Sequence, residues 1–219
     1  MRNFLIALLL LLGTGVYADG PAYTPEKALQ RLKEGNQRFM TGRQDCIKNY
    51  LKELEKSKDK QEPYAAILCC SDSRIPPELI FDESLGKLFI IRVAGNVATD
   101  VTIGSIEYAV AQLKVPIVVV LGHEACGVLV AALKGVKNLP PFVRDLVKET
   151  SFAVNDAEKE SSNFDTQLHT AIIKNVEFQM QELIEKSVVL EEAVKKKKIM
   201  FQGAVFYFDD GHVDWCPCK

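Results

Sequence analysis

Residues 115–122 read VPIVVVLG, and residues 123–127 after them read HEACG. The first of these stretches is continuous, β-branched and free of polar residues, which predicts a strand buried on both faces. Two similar runs precede it, Tyr64 to Cys69 (YAAILC) after Pro63, and Lys87 to Val93 (KLFIIRV). A fourth is expected over 199–208 (IMFQGAVFYF), with Asp209-Asp210-Gly211 signalling a hairpin into 212–215. Helical spacing separates the strands at 76–82, 101–113 and 126–135. Further helices are expected over 140–150 and 163–197, the latter with Leu168, Ile172, Ile173, Val176, Met180, Leu183 and Ile184 on one stripe. Apolar strands alternating with helices give an α/β fold, a mostly parallel central β-sheet flanked by helices.

Upstream, Thr24 before Pro25 and Glu26 has the form of an N-cap, a first-turn proline and an acidic first turn. Ala28, Leu29, Leu32 and Phe39 follow at helical spacing, which predicts a helix over 25–40 with Gly42 past its end. A second, lysine-rich helix is expected over 46–58. Residues 19–60 thus make an N-terminal helical arm of one domain spanning 19–219. The first eighteen residues stand apart from it. One cation in Met1-Arg2-Asn3, an apolar run from Phe4 to Leu12, and the small residues of Val16-Tyr17-Ala18 are the three parts of a secretory signal peptide, 1–18. The apolar run is too short to span a bilayer, which takes about 20 residues.

The chain of 219 residues carries 27 Lys+Arg and 29 Asp+Glu, a net charge of −2. No basic surplus marks a nucleic-acid footprint. With 47% hydrophobic and 26% charged residues, the composition excludes a disordered or polytopic membrane protein. No membrane association is expected after the leader is cut.

Two polar stretches interrupt the apolar pattern, each at the C-terminal end of an expected parallel strand, where open α/β sheets bind ligands. They are Cys70-Ser71-Asp72-Ser73-Arg74 and Gly122-His123-Glu124-Ala125-Cys126-Gly127. Cys70, His123 and Cys126 form a Cys₂His set, the donor types of a catalytic zinc with one open position. The His-x-x-Cys spacing suits two ligands on the first turn of a helix facing one ion. Asp72 beside such a metal either coordinates it or is held off by a cation, and Arg74 is spaced to hold it in a charge-assisted pair.

In this order, CSDSR (70–74), RVAGN (92–96), GSIEYAV (104–110) and GHEACG (122–127) resemble the β-class carbonic anhydrases. The similarity covers 25–215, including KALQRLKEGNQRF at 27–39. The resemblance implies reversible hydration of carbon dioxide to bicarbonate and a proton by a zinc-activated hydroxide. It implies one zinc ion per subunit on Cys70, His123 and Cys126, with Asp72 and Arg74 as the dyad that keeps the fourth position open. Phe89, Ala94 and Tyr108 are the implied pocket residues, Gln61 is contributed by a neighbouring subunit, and the Gly127 N–H lies beside the metal. A homodimer or a dimer of dimers follows from the same resemblance. Hydrolysis of carbonyl sulfide or carbon disulfide on this fold is the alternative, because identical metal ligands serve both. A zinc-stabilised binding module is a third reading, which Arg74 beside Asp72 disfavours.

Some bacterial members close the site through the carboxylate and bind inhibitory bicarbonate near a tryptophan. The single tryptophan here is Trp215, and Phe39 stands where that aromatic is sought, so an open site is expected. The leader departs from the intracellular members and points to a Gram-negative type periplasm or secretion. Cys46, Cys216 and Cys218 lie outside the family pattern. Export permits a disulfide between Cys46 and the tail, or a strained one between Cys216 and Cys218. Strand alternation turns Cys69 away from Cys70 as a buried bystander. His169 and His212 are tied to the site by no motif, so no proton shuttle is assigned.

Overall fold

A computed structural model describes residues 23–45 and 50–216. The leader at 1–18 and the thiols Cys46 and Cys218 lie outside the described residues, and so do the disulfides expected of them. Five strands form one sheet, β1 (Ala65–Cys69), β2 (Leu88–Arg92), β3 (Ile117–His123), β4 (Met200–Phe206) and β5 (Val213–Trp215). Their order is β2-β1-β3-β4-β5, parallel except for β5, which returns antiparallel after the hairpin. All residues of the central β1 and β3 are buried, as strands covered on both faces must be. At the edge, β2 is half-exposed. Cys69 sits opposite Leu121 in register, so β1 and β3 end side by side.

The arm divides into two unlike parts. Helix α1 (Pro25–Met40) starts where its cap signals place it, with Thr24 Oγ1 accepting the Lys27 N–H at 3.3 Å. It is bound into the core rather than projecting from it. Ala28 and Leu32 are fully buried. Arg31 grips the buried Glu83 with two bonds of 2.6 Å, and the Tyr64 hydroxyl donates to the same carboxylate at 2.8 Å. The buried Asn36 amide donates to Gly211 O at 2.9 Å and to Ile80 O at 3.3 Å, while its oxygen accepts the Val213 N–H at 2.9 Å. Gly35 permits this approach, since a Cβ there would lie 1.8 Å from the Phe81 carbonyl oxygen. Helix α2 (Tyr50–Ser57), the described part of the helix expected at 46–58, buries no residue and leaves Leu51 82% exposed.

Helices α3 (Pro77–Ile80), α4 (Asp100–Ala111), α5 (Gly127–Leu133) and α6 (Pro141–Glu149) follow the expected spans, α4 starting one residue before its own. Two features differ from the sequence reading. Helix α7 (Ser151–Glu160) was not expected, because its buried face is the small Ala153, Val154 and Ala157. The single helix expected at 163–197 is two, α8 (Phe164–Lys186) and α9 (Val188–Lys195). Between them Ser187 is extended, at φ −123° and ψ 108°, and its Oγ caps α9 by accepting the Leu190 N–H at 3.1 Å. The same hydroxyl donates to Glu107 on α4, which fixes the break in the core.

Candidate metal centre

Cys70 follows the last residue of β1, His123 ends β3, and Cys126 precedes α5. The parallel register brings these strand ends together. The ligand atoms of the three side chains all lie within 4.8 Å of one another, and all three residues are buried. The His-x-x-Cys turn is not the helical turn that the spacing suggested. His123 is still strand and Cys126 is extended, at φ −61° and ψ 117°, while Ala125 between them sits in the left-handed region at φ 52°. A non-glycine residue held there is strained backbone. That bend is what turns both donors inward.

The state of each donor fits a soft cation. His123 Nδ1 is 2.7 Å from Glu124 O, which fixes the ring and leaves Nε2 as the ligand atom. Nε2 is buried without a hydrogen-bond partner, and the other such atom among the described residues is Asn96 Nδ2. An orphaned buried imidazole nitrogen between two thiols is costly unless a metal takes it. The Cys126 thiol, with His123 and the Gly95 N–H, brings Cys70 down to about 4, and the same bond pushes Cys126 up. Two cysteine sulfurs and an unpartnered imidazole nitrogen are a donor set that fits a zinc ion, whose ligands stand about 2.0–2.3 Å away.

Asp72 is the next group out. Arg74 holds it in a fork, Nε to Oδ1 at 2.9 Å and Nη2 to Oδ2 at 2.8 Å, and the Arg74 backbone N–H adds a bond to Oδ1 at 3.0 Å. The paired guanidinium keeps this carboxyl well below the usual carboxylate range. Phe39 packs on Phe206 with ring centroids 6.2 Å apart, and Phe206 pairs in register with His123.

A family model described as "Carbonic anhydrase" matches residues 65–213. The chain belongs to the β-carbonic anhydrase family. Carbonic anhydrase 2 of Mycobacterium tuberculosis is 34% identical over 194 residues, covering 87% of this chain and 92% of that protein. The solved β-carbonic anhydrase CcaA superposes with a TM-score of 0.69 at 26% identity, covering 87% of this chain and 92% of that one. The β-carbonic anhydrase CafA of Aspergillus fumigatus gives 0.70 at 26% identity, over 83% and 86%.

Two of the expected pocket residues of this β-carbonic anhydrase adjoin the cluster. Ala94 precedes Gly95, whose N–H donates to Cys70 Sγ at 3.3 Å, and Gly127 follows Cys126. The other three do not meet the cluster of their own chain. Phe89 pairs in register with Ala66, four residues short of Cys70 and so roughly 13 Å down the strand. Tyr108 stacks obliquely on Phe89 at 6.1 Å and is 48% exposed near the C-terminal end of α4. Gln61 is exposed just before β1 begins. The described part of the chain thus presents these three at the opposite end of the sheet from its metal ligands. His169 and His212 flank Tyr207, and His212 bonds to Asp210 at 2.5 Å.

Several groups that hold the site were missed in the sequence. Arg92 donates to the carbonyls of Cys70 and Asp72 and fixes their loop. Asn175 Nδ2 donates to Gly95 O at 2.9 Å, and Gln179 Oε1 accepts the Ala98 N–H at 2.7 Å. These buried amides sit four apart on the apolar stripe of α8, a break in pattern that marks a polar job in the core. Gly95 itself is at φ 76°, and a Cβ there would press on Val128 at 3.2 Å. The loop therefore takes glycine.

Proposed function

We propose that Cys70, His123 and Cys126 hold the zinc ion of this carbonic anhydrase and that Asp72 and Arg74 govern its open position. The chain catalyses the reversible hydration of carbon dioxide to bicarbonate and a proton. Zinc, when bound, supplies the Lewis acidity that makes water a nucleophile near pH 7. Asp72, tied to Arg74, is kept from the cation and retains lone pairs to orient the attacking water. Arg92 and Asn175 preserve the loop geometry on which Cys70 depends. Carbon dioxide is small and uncharged, so it takes an apolar pocket rather than charged clamps, and Ala94 supplies one part of it.

The observation that carries this reading is the buried, unpartnered Nε2 of His123 between two thiols, beside a carboxylate already paired with arginine. The variant Cys126→Ser is expected to lose its zinc by elemental analysis and to fall to near the uncatalysed rate in stopped-flow hydration of carbon dioxide. Full zinc and full turnover in that variant would exclude the assignment.

Gln61, Phe89 and Tyr108 are proposed to complete the carbon dioxide pocket of a second protomer, which makes the working unit a homodimer or a dimer of dimers. Their remoteness from their own metal ligands and the exposure of Tyr108 support this. Residues 1–18 are proposed as a cleaved leader that sends the mature domain, 19–219, to a periplasm or the exterior. The mature protein from a periplasmic extract is then expected to begin at Asp19 by mass spectrometry. An intact Met1 would overturn it.

A further inference from the structure

The Asp72–Arg74 pair lies in a loop, and the Arg74 side chain is 54% exposed. An ion pair so exposed is screened by solvent and holds only weakly on its own. That is too little to keep a carboxylate from a dication beside it unless something else fixes the guanidinium. One side chain does. The guanidinium carbon of Arg74 lies 4.1 Å from the centroid of the Phe208 ring. The cation thus lies over the face of the ring, while its Nε and Nη2 carry the fork aimed at Asp72.

Phe208 is itself held from three directions. Its backbone N–H donates to Glu124 Oε2 at 2.9 Å, and the Glu124 N–H donates back to Phe206 O at 2.9 Å. Its ring meets Phe206 edge-on at 5.6 Å. It also meets the ring of His123 at 5.9 Å and 65°. A residue just beyond β4 therefore touches both the histidine of the metal cluster and the arginine of the dyad, and the residue between His123 and Ala125 anchors it.

We propose that Phe208 is a positioning residue that clamps Arg74 by its face, so that Arg74 holds Asp72 away from the metal. Glu124 sets the clamp by fixing the Phe208 backbone. The inference rests on the reading of Asp72 and Arg74 given above.

The test uses three forms of the holoenzyme, wild type, Phe208→Leu and Phe208→Tyr. Leucine retains bulk without a π face, and tyrosine retains the face. Phe208→Leu is expected to keep its zinc and its KM while kcat falls about tenfold, the scale for groups that orient metal-site residues. Phe208→Tyr is expected to restore kcat. In wild type the Arg74 side-chain protons are expected upfield of the ordinary arginine range by NMR, through the ring current of Phe208, with or without zinc. Phe208→Leu should return them to that range. Wild-type kcat in the leucine variant, equal losses in both variants, or ordinary Arg74 shifts in wild type would each overturn the proposal. The shift is read without mutation, so it decides the matter even if Phe208→Leu fails to fold. Should Asp72→Asn prove fully active, the dyad reading itself fails. If Asp72→Asn is impaired and Phe208→Leu is not, the clamp alone fails.

Discussion

At the scale of single residues, the site is governed by which protons and lone pairs are already committed. Asp72 spends acceptor capacity on three donors from Arg74, and that commitment keeps it an anion that points at arginine. Replacing it with Asn removes the charge and keeps the shape. Asp72→Asn is expected to retain stoichiometric zinc and to lose about 10–100-fold in carbon dioxide hydration, the usual cost of a group that orients a metal-site partner. Zinc titration alongside stopped-flow kinetics checks both halves.

The donors of this site were legible as Cys70, His123 and Cys126 because chemistry-bearing residue types broke two apolar strands at their ends. The backbone that aims them was not. Nothing in the letters HEAC says that Ala125 takes a left-handed conformation, since alanine ordinarily avoids it. Arg92 opens the RVAGN motif, yet its bonds to the Cys70 and Asp72 carbonyls depend on β2 lying beside β1, which periodicity does not reveal. Phe208 read as strand, and its place over Arg74 is a tertiary fact.

At the scale of elements, the strands were readable because β1 and β3 are apolar at every position, a pattern that only a doubly covered strand requires. Helix α7 escaped notice because two alanines and a valine are enough to pack it against α8, and so small a face gives little periodic signal. Ser187 did carry a sign of the break it makes. It is a capping residue before two β-branched residues in the middle of a helical stretch. The attachment of α1 was hidden more deeply, since Arg31 and Glu83 lie 52 positions apart.

That attachment yields a pH-dependent consequence. Burial, and then the charge and hydrogen bond of Glu83, raise the pKa of Tyr64 well above the ordinary tyrosine value near 10. The unfolded chain therefore loses this proton first. The stabilisation is full below pH 10 and declines as pH rises beyond it, by about 1.4 kcal/mol per unit. In Tyr64→Phe the alkaline slope is expected to be shallower by that amount. At pH 7 the variant is expected to be less stable by about 0.5–1.5 kcal/mol for the lost hydrogen bond, or more because its partner is charged. Urea unfolding of both proteins between pH 8 and 11 measures the two slopes.

At the scale of the whole molecule, metal ligands gather at one end of the sheet, and Gln61, Phe89 and Tyr108 lie at the other. If a second protomer joins the two ends, mutants defective at opposite ends should complement each other. Cys126→Ser and Tyr108→Ala, each impaired alone, are expected to regain about a quarter of wild-type turnover per protomer after mixed refolding, because half of the dimers are hybrids with one intact site. No recovery on mixing would place each active site within a single chain. Described helices offer no membrane span, none being long and apolar enough to cross one.

Asn36 joins residues separated by as many as 177 positions, since its oxygen takes the Val213 N–H and its amide reaches Gly211 O. A ribosome emits α1 about 175 residues before the hairpin that it binds. During translation this asparagine therefore lacks its hairpin partners, and the helix that carries it has no completed surface to dock on. Contacts of such long range close late and slowly. This part of the nascent polypeptide therefore stays open until residues 211–213 have emerged, and α1 fastens only after that hairpin exists.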